Sequence, residues 1–328
     1  MTLPPGFARF ARRLALLAFT LLLLDLLVPY ATLRTLRHSG IGLTYSVPSS
    51  DIIVLGASHM SFAFDDSAWH DESVRLTHCS RDGQFSEFFW SYYDRYRRGN
   101  PPPQLVVLDT PFFMFQKSHY ESLLALQSSF DVDQGYLESL RMPTSRFYEY
   151  GEAFQLLPSI LFRAASRSAR TLNCGYAAEL YPDFSQSDLT TRGLPRDRGE
   201  RIGYRRDGWS MASNVIPARF FSRLLARLDR EGVAVLLVET PEFEPTVKSV
   251  IDKDAFYQDL RAEIAPYPRT HLFLQGTAHS IDASNPRLFY DGGWGEINSH
   301  LSLAGSKLYT AELIARMRQL TVGAAAVR

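Results

Sequence analysis

The apolar positions of this chain change period from one stretch to the next. Asp51 to Gly56 (DIIVLG), Gln104 to Asp109 (QLVVLD) and Val233 to Glu239 (VAVLLVE) are continuous apolar runs of strand length. Strands covered on both faces read this way, and they belong to parallel sheets held between helices. His271 to Leu274 (HLFL) and Val74 to Cys79 are predicted as further strands, and Ser58 to Phe64 as the mixed exit loop of the first. Helical spacing takes over at Ser86 to Arg97, Pro217 to Arg230 and Phe256 to Ile264. It is clearest near the end, where Tyr309, Leu313, Met317 and Leu320 recur on one face and Lys307, Glu312 and Arg316 fall elsewhere. Strands alternating with helices predict an α/β fold, a three-layer parallel sheet of flavodoxin-like winding.

Two stretches do not fit that alternation. Residues 113–215 are too many for a plain crossover, so they are expected to form a cap or insertion over the sheet, within a domain spanning 39–328. Inside it, Gly151 to Leu172 has helical apolar spacing at Phe154, Leu157, Ile160 and Leu161, with Pro158 as a kink. Thr191 to Asp207 is a basic loop suited to anionic glycan or lipid head groups, its charge diluted by Asp197, Glu200 and Asp207. At the other extreme, Leu14 to Leu33 (LALLAFTLLLLDLLVPYATL) follows a lead containing Arg9, Arg12 and Arg13. A run of about 20 residues spans roughly 30 Å of bilayer, and no small-x-small cleavage site follows it. Residues 1–38 are therefore read as a cytoplasmic lead and an uncleaved, single-pass anchor in the inner membrane. The positive flank leaves the rest of the chain extracytoplasmic. Asp25 lies near the outer end of the run, within reach of the interface.

Charge narrows the function classes. The chain has 35 Lys and Arg against 35 Asp and Glu, which gives no electrostatic footprint for nucleic acid. Cys79 and Cys174 lack the C-x-x-C spacing of a zinc ribbon or redox pair, no metal or other cofactor is expected, and a disulfide between the two cysteines is the less favoured expectation.

Chemistry is carried by two distant blocks. The first strand delivers the chain into Gly56-Ala57-Ser58-His59, at the carboxyl edge where open parallel sheets bind ligands. A lone serine there is more often a helix cap. The second block is Phe289-Tyr290-Asp291, then Asn298-Ser299-His300-Leu301-Ser302, just before the last helix. A serine hydroxyl needs an imidazole to take its proton, and the imidazole needs an acceptor at its back. His300 can supply the first, and Asp291, or alternatively Glu296, the second. His59, adjacent to Ser58, is expected to line the pocket, as is Thr110 at the end of the second long strand.

These blocks resemble the SGNH hydrolase superfamily (GDSL-like), which places its serine after the first strand and a His-Leu pair before its last helix, as Ser58 and His300-Leu301 stand here. The resemblance implies Ser58 as nucleophile, His300 as base, and an oxyanion hole made by the backbone N–H groups of Ser58 and of Gly83 in HCSRDGQ. The chain departs from the family at Ala57, at Ile297 where the acid usually stands, and at Asp109-Thr110-Pro111 in place of Gly-x-Asn-Asp. It is thereby similar to the membrane-anchored SGNH-like proteins of envelope polysaccharide and teichoic-acid acylation. That likeness implies a serine O-acyltransferase or carbohydrate esterase at a periplasmic envelope glycan such as an exopolysaccharide, with a membrane-bound O-acyltransferase as partner. The alternative is a catalytically silent SGNH-like scaffold that binds polysaccharide or that membrane partner.

Overall fold

A computed structural model of the chain describes residues 7, 10–21, 23, 47–80, 86–111, 174–180, 202–203, 216–251, 253–274, 281–290 and 300–325. By their contacts the residues divide into two compact units, 1–45 with 129–171 and 46–128 with 172–328.

In the first unit, residues 10–21 are helical, and Phe10, Leu14, Leu17 and Phe19 on them are all more than half exposed. Among the described residues no helix is long and apolar enough to cross a membrane. Most of the expected span beyond residue 21, Asp25 included, lies outside the described residues, as does the expected helix of Gly151 to Leu172.

The second unit is an α/β sandwich. Its elements run β1 (Ile52–Gly56), α1 (Ser58–Ala63), β2 (Leu76–Ser80), α2 (Ser86–Gly99), β3 (Leu105–Asp109), α3 (Ala177–Leu180), β4 (Ile202–Gly203), α4 (Ile216–Arg230), β5 (Ala234–Val238), α5 (Glu244–Ser249), β6 (Val250–Ile251), α6 (Lys253–Ile264), β7 (Thr270–Phe273), β8 (Phe289–Tyr290), β9 (His300–Leu301) and α7 (Leu303–Ala325). The main sheet has the order β2-β1-β3-β5-β7, and every pairing in it is parallel. Counting only its own strands this is 2-1-3-4-5, the flavodoxin-like order. Each predicted strand lies within a residue or two of an observed one.

The continuous apolar runs are explained by two covered faces. Ile52, Val54, Leu105, Val107, Leu236, Val238 and Phe273 share one core with Tyr309, Leu313, Ile314 and Met317 of α7. Successive side chains alternate across a strand, so Ile53, Leu55, Val106, Leu108, Val235 and Leu237, all buried, point to the opposite face. There α2 packs against α4, and Arg227 bridges Asp94 at 2.7 Å and Glu231 at 3.1 Å. Full burial of one such Val or Leu is worth ~1.5–3 kcal/mol, and a one-residue slip would invert every side chain of the strand.

The cysteine expectation is corrected. Cys79 and Cys174 form a disulfide with Cα atoms 4.8 Å apart across 95 residues of sequence. Distant spacing carried no sign of pairing because the sheet, rather than the local chain, brings the two together. Closing a loop of this length removes on the order of 4–5 kcal/mol of denatured-state entropy in the chain-entropy account. The bridge ties the carboxyl end of β2 to the start of the 174–180 segment, where the Gly175 N–H also donates to the Ser80 carbonyl at 3.3 Å.

Candidate active site

Gly56 makes the turn at the end of β1. A Cβ built there would stand 2.2 Å from Met60 Cβ and 2.8 Å from Ser80 Oγ, so only glycine lets the chain pass from strand to helix so tightly. The expected exit loop is a six-residue helix, α1, entered through Ala57 in extended conformation. Local hydrogen bonds close its turn: the Ser61 N–H donates to the Ala57 carbonyl at 3.2 Å and the Ser61 hydroxyl to the Ser58 carbonyl at 2.8 Å. His59 to Ala63 are all buried. Ser58 is partly exposed and sits at the first position of the helix, in the turn whose N–H groups have no acceptor within it.

His300 arrives on β9, paired antiparallel with β8 so that it stands opposite Tyr290. Its Nε2 lies 3.1 Å from Ser58 Oγ. The ring is held between two others, His59 and Phe62, each with its centroid 4.6 Å away. Burial pushes the imidazole down to about 3, because a cation is disfavoured where water is excluded. At neutral pH the ring is therefore uncharged and can accept a proton.

The pair is 242 residues apart in sequence, and a polar clamp between α7 and α1 maintains it. The Ser306 and Thr310 hydroxyls both donate to the Ala63 carbonyl at 3.2 Å. In return, Thr310 Oγ1 accepts the Asp65 N–H at 2.9 Å. Behind β9, the Ser302 N–H donates to the Leu288 carbonyl at 2.9 Å. A Cβ on Gly305 would fall 2.2 Å from that same oxygen, so the helix start lies flush against the residues preceding β8. The segment after the disulfide closes the far side: Tyr176 hydrogen-bonds Ser306 at 2.8 Å, and Tyr176 and Ala177 pack on Phe62.

Of the residues singled out from sequence, the structure brings together Ser58, His300 and His59. Thr110 is fully buried, and its N–H and hydroxyl both donate to the Val238 carbonyl, at 2.7 and 3.0 Å. It extends the β3–β5 pairing. Gly83, Asp291 and Glu296 lie outside the described residues.

Three features escaped the sequence reading. Asp109, the last residue of β3, is wholly buried and its Oδ2 accepts the Ala57 N–H at 3.3 Å. Burial pushes its carboxyl up to about 8, helped by the nearby charges of Glu239 and Glu242. Next along the edge, Glu239 accepts from Lys253 at 2.9 Å and from the Tyr257 hydroxyl at 2.6 Å. Burial lifts Glu242 to about 7 against the pull of Lys253. The signal available was a carboxylate closing an otherwise apolar run, in Asp109-Thr110-Pro111 and again in Glu239-Thr240-Pro241. The third feature is a second serine–histidine pair beneath Gly56: His78 Nε2 is 2.7 Å from Ser80 Oγ, and His78 Nδ1 is 3.5 Å from Asp66.

No family model matches the chain, and no curated protein does. Among solved structures it is similar to a protein of Streptococcus pneumonia provisionally named a platelet activating factor, with a TM-score of 0.36 and 11% identity over 93% of this chain and 98% of that one. A likeness at this level leaves the fold to be read from the strand order itself.

Proposed function

We propose that the chain is an SGNH-type serine enzyme acting on O-acyl groups, with Ser58 as nucleophile and His300 as base. The observation that carries this reading is the 3.1 Å approach of an uncharged, buried imidazole to a partly exposed serine hydroxyl at the carboxyl edge of the sheet. As Ser58 Oγ bonds to the acyl carbon, its proton passes to His300 Nε2. The developing oxyanion meets the Ser58 N–H at the start of α1, with the Gly83 N–H as the second donor of this proposal. Collapse of the adduct expels the alcohol, which takes the proton from His300 and leaves Ser58 acylated. A sugar hydroxyl or water then attacks, giving its proton to His300, and Ser58 is regenerated. Transfer and hydrolysis differ only in that last acceptor.

An imidazolium among Phe62, His59 and the sheet is costly without a counter-charge. Asp291, directly after β8, is the proposed acid, ahead of Glu296, since β8 is the strand paired with His300.

The substrate class proposed is an acylated glycan of the bacterial envelope, with the chain anchored in the inner membrane and the α/β domain in the periplasm. The disulfide supports that compartment, because such bonds persist where the environment is oxidising. The apolar residues exposed along the helix of residues 10–21 support the anchor. A membrane-bound O-acyltransferase would be the partner that supplies the acyl group. One observation favours a second reading, a silent scaffold binding polysaccharide or that partner: β3 ends in a buried Asp109 and a Thr110 committed to Val238, where the family presents an asparagine. A fluorophosphonate decides between them. Labelling of the wild type at Ser58, lost in Ser58→Ala, is expected; a folded wild type that stays unlabelled leaves the scaffold reading.

A further inference from the structure

We propose that Asp109 is the positioning residue of the Ser58 turn, taking the Ala57 N–H from below and thereby fixing where α1 begins and where Ser58 Oγ points. The inference rests on the reading of Ser58 as nucleophile only for its kinetic consequence; the anchoring itself stands on geometry.

The case begins with what α1 lacks. Ala57 occupies the N-cap and has no side chain able to accept from the first turn, a position where Ser, Thr, Asp or Asn normally serves. The acceptor comes instead from the neighbouring strand. Leu55 is in register with Leu108, so Asp109 continues β3 beside Gly56. Its Oδ2 receives the Ala57 N–H at 3.3 Å. The carboxyl therefore holds the residue directly before Ser58. Gly56 makes this necessary, since a glycine hinge leaves the direction of the helix undetermined unless something outside the hinge sets it.

The surroundings decide its charge. Asp109 faces Glu239 at the end of β5, Glu242 just beyond, and Tyr309 of α7, while Lys253 and Tyr257 of α6 bind the two glutamates from behind. On α1 itself the titratable side chain is His59, against the His300 ring. Full burial, reinforced by the neighbouring Glu239 and Glu242, pushes the carboxyl up to about 8 and so favours its neutral form at pH 7. The neutral form positions the turn without adding negative charge beneath the atom where an oxyanion must form. The ionised form adds that charge, so reaction at Ser58 slows as pH rises through the ionisation.

The test compares the full-length wild type with Asp109→Asn, which keeps a neutral acceptor, and Asp109→Leu, which removes it. Two quantities are read: the rate of fluorophosphonate labelling from about pH 6 to about pH 10, and amide hydrogen exchange over residues 57–64. At pH 7, Asp109→Asn is expected to label within about threefold of wild type and Asp109→Leu about tenfold or more slower, with faster exchange at Ala57. Above pH 8 the wild type slows and Asp109→Asn does not. Wild-type labelling and exchange in Asp109→Leu would overturn the proposal, as would an Asp109→Asn variant as slow as Asp109→Leu. A basic limb that persists in Asp109→Asn assigns it to Glu242 and overturns the coupling to Asp109. Should Asp109→Leu not fold, the comparison of Asp109→Asn with wild type across pH decides alone. A wild type that never labels, while exchange quickens in Asp109→Leu, keeps Asp109 as the anchor of α1 and discards the catalytic reading of Ser58.

Discussion

Two serine–histidine pairs flank Gly56, and the shorter one is not the candidate site. Ser80 and His78 approach to 2.7 Å with Asp66 behind the imidazole at 3.5 Å, whereas Ser58 and His300 stand at 3.1 Å. By hydrogen-bond geometry the first pair looks the better triad. Ser80, however, is wholly enclosed, in register with Gly56 on a strand, and the Gly175 N–H closes on its carbonyl, so no substrate reaches its hydroxyl. Ser58 is partly exposed at a helix start. Access and a supply of uncommitted N–H donors separate a reactive serine from a structural one, and proximity of an imidazole does not.

The largest effect expected is on labelling. Ser58→Ala abolishes fluorophosphonate incorporation, a loss on the order of a thousandfold or more, while Ser80→Ala stays within about fivefold of wild type; the reverse order would transfer the active site to β2. Next comes the disulfide, which begins one residue before Ser80. Replacing Cys79 and Cys174 by serine is expected to lower stability by ~2–5 kcal/mol, read as an earlier denaturant midpoint, and equal midpoints would make the bridge incidental. Third, Asp291→Asn lowers acyl release from an activated ester by about a hundredfold or more, and Glu296→Gln and Asp66→Asn change it far less. A large loss in Glu296→Gln alone would reassign the acid. Ser80→Ala costs ~1–3 kcal/mol of stability, since His78 is left with a buried, unsatisfied nitrogen; thermal unfolding measures it. The smallest effect is a displacement of a pH limb. Protonated His300 is inactive, so labelling falls as pH drops through its pKa. Burial pushes that pKa down to about 3 and the proposed carboxylate at its back opposes the shift, so Asp291→Asn moves the acid limb to lower pH.

How much could be seen beforehand follows from where information lies in the chain. The three central strands β1, β3 and β5 were legible because burial on both faces leaves unbroken apolar runs, the partly buried edge strands β2 and β7 carried a weaker apolar signal, and α7 was legible because Tyr309, Leu313 and Met317 keep helical spacing. Ser58 and His300 were legible as a pair because each follows or precedes a strongly patterned element. α1 was misread as a loop, since His59 to Ala63 are all buried and show no polar face to betray a helix. The roles of Asp109 and Cys79 were invisible for a common reason: each is completed by a partner from another part of the fold, Ala57 across a strand pairing and Cys174 at 95 residues' distance. Thr110 drew attention as a polar residue at the carboxyl edge, and its hydroxyl proved to extend the sheet.

The clamp between α7 and α1 also has a meaning in time. The ribosome makes Ser58 early and His300 242 residues later, and the hydroxyls of Ser306 and Thr310 that hold Ala63 come later still. Throughout elongation the nascent chain carries its serine without the imidazole beside it. A product broken off before residue 300 can build β1 and α1 but never the contact between them and β9. Completion of the polypeptide is thus the event that assembles the pair, and shortened chains are born without it.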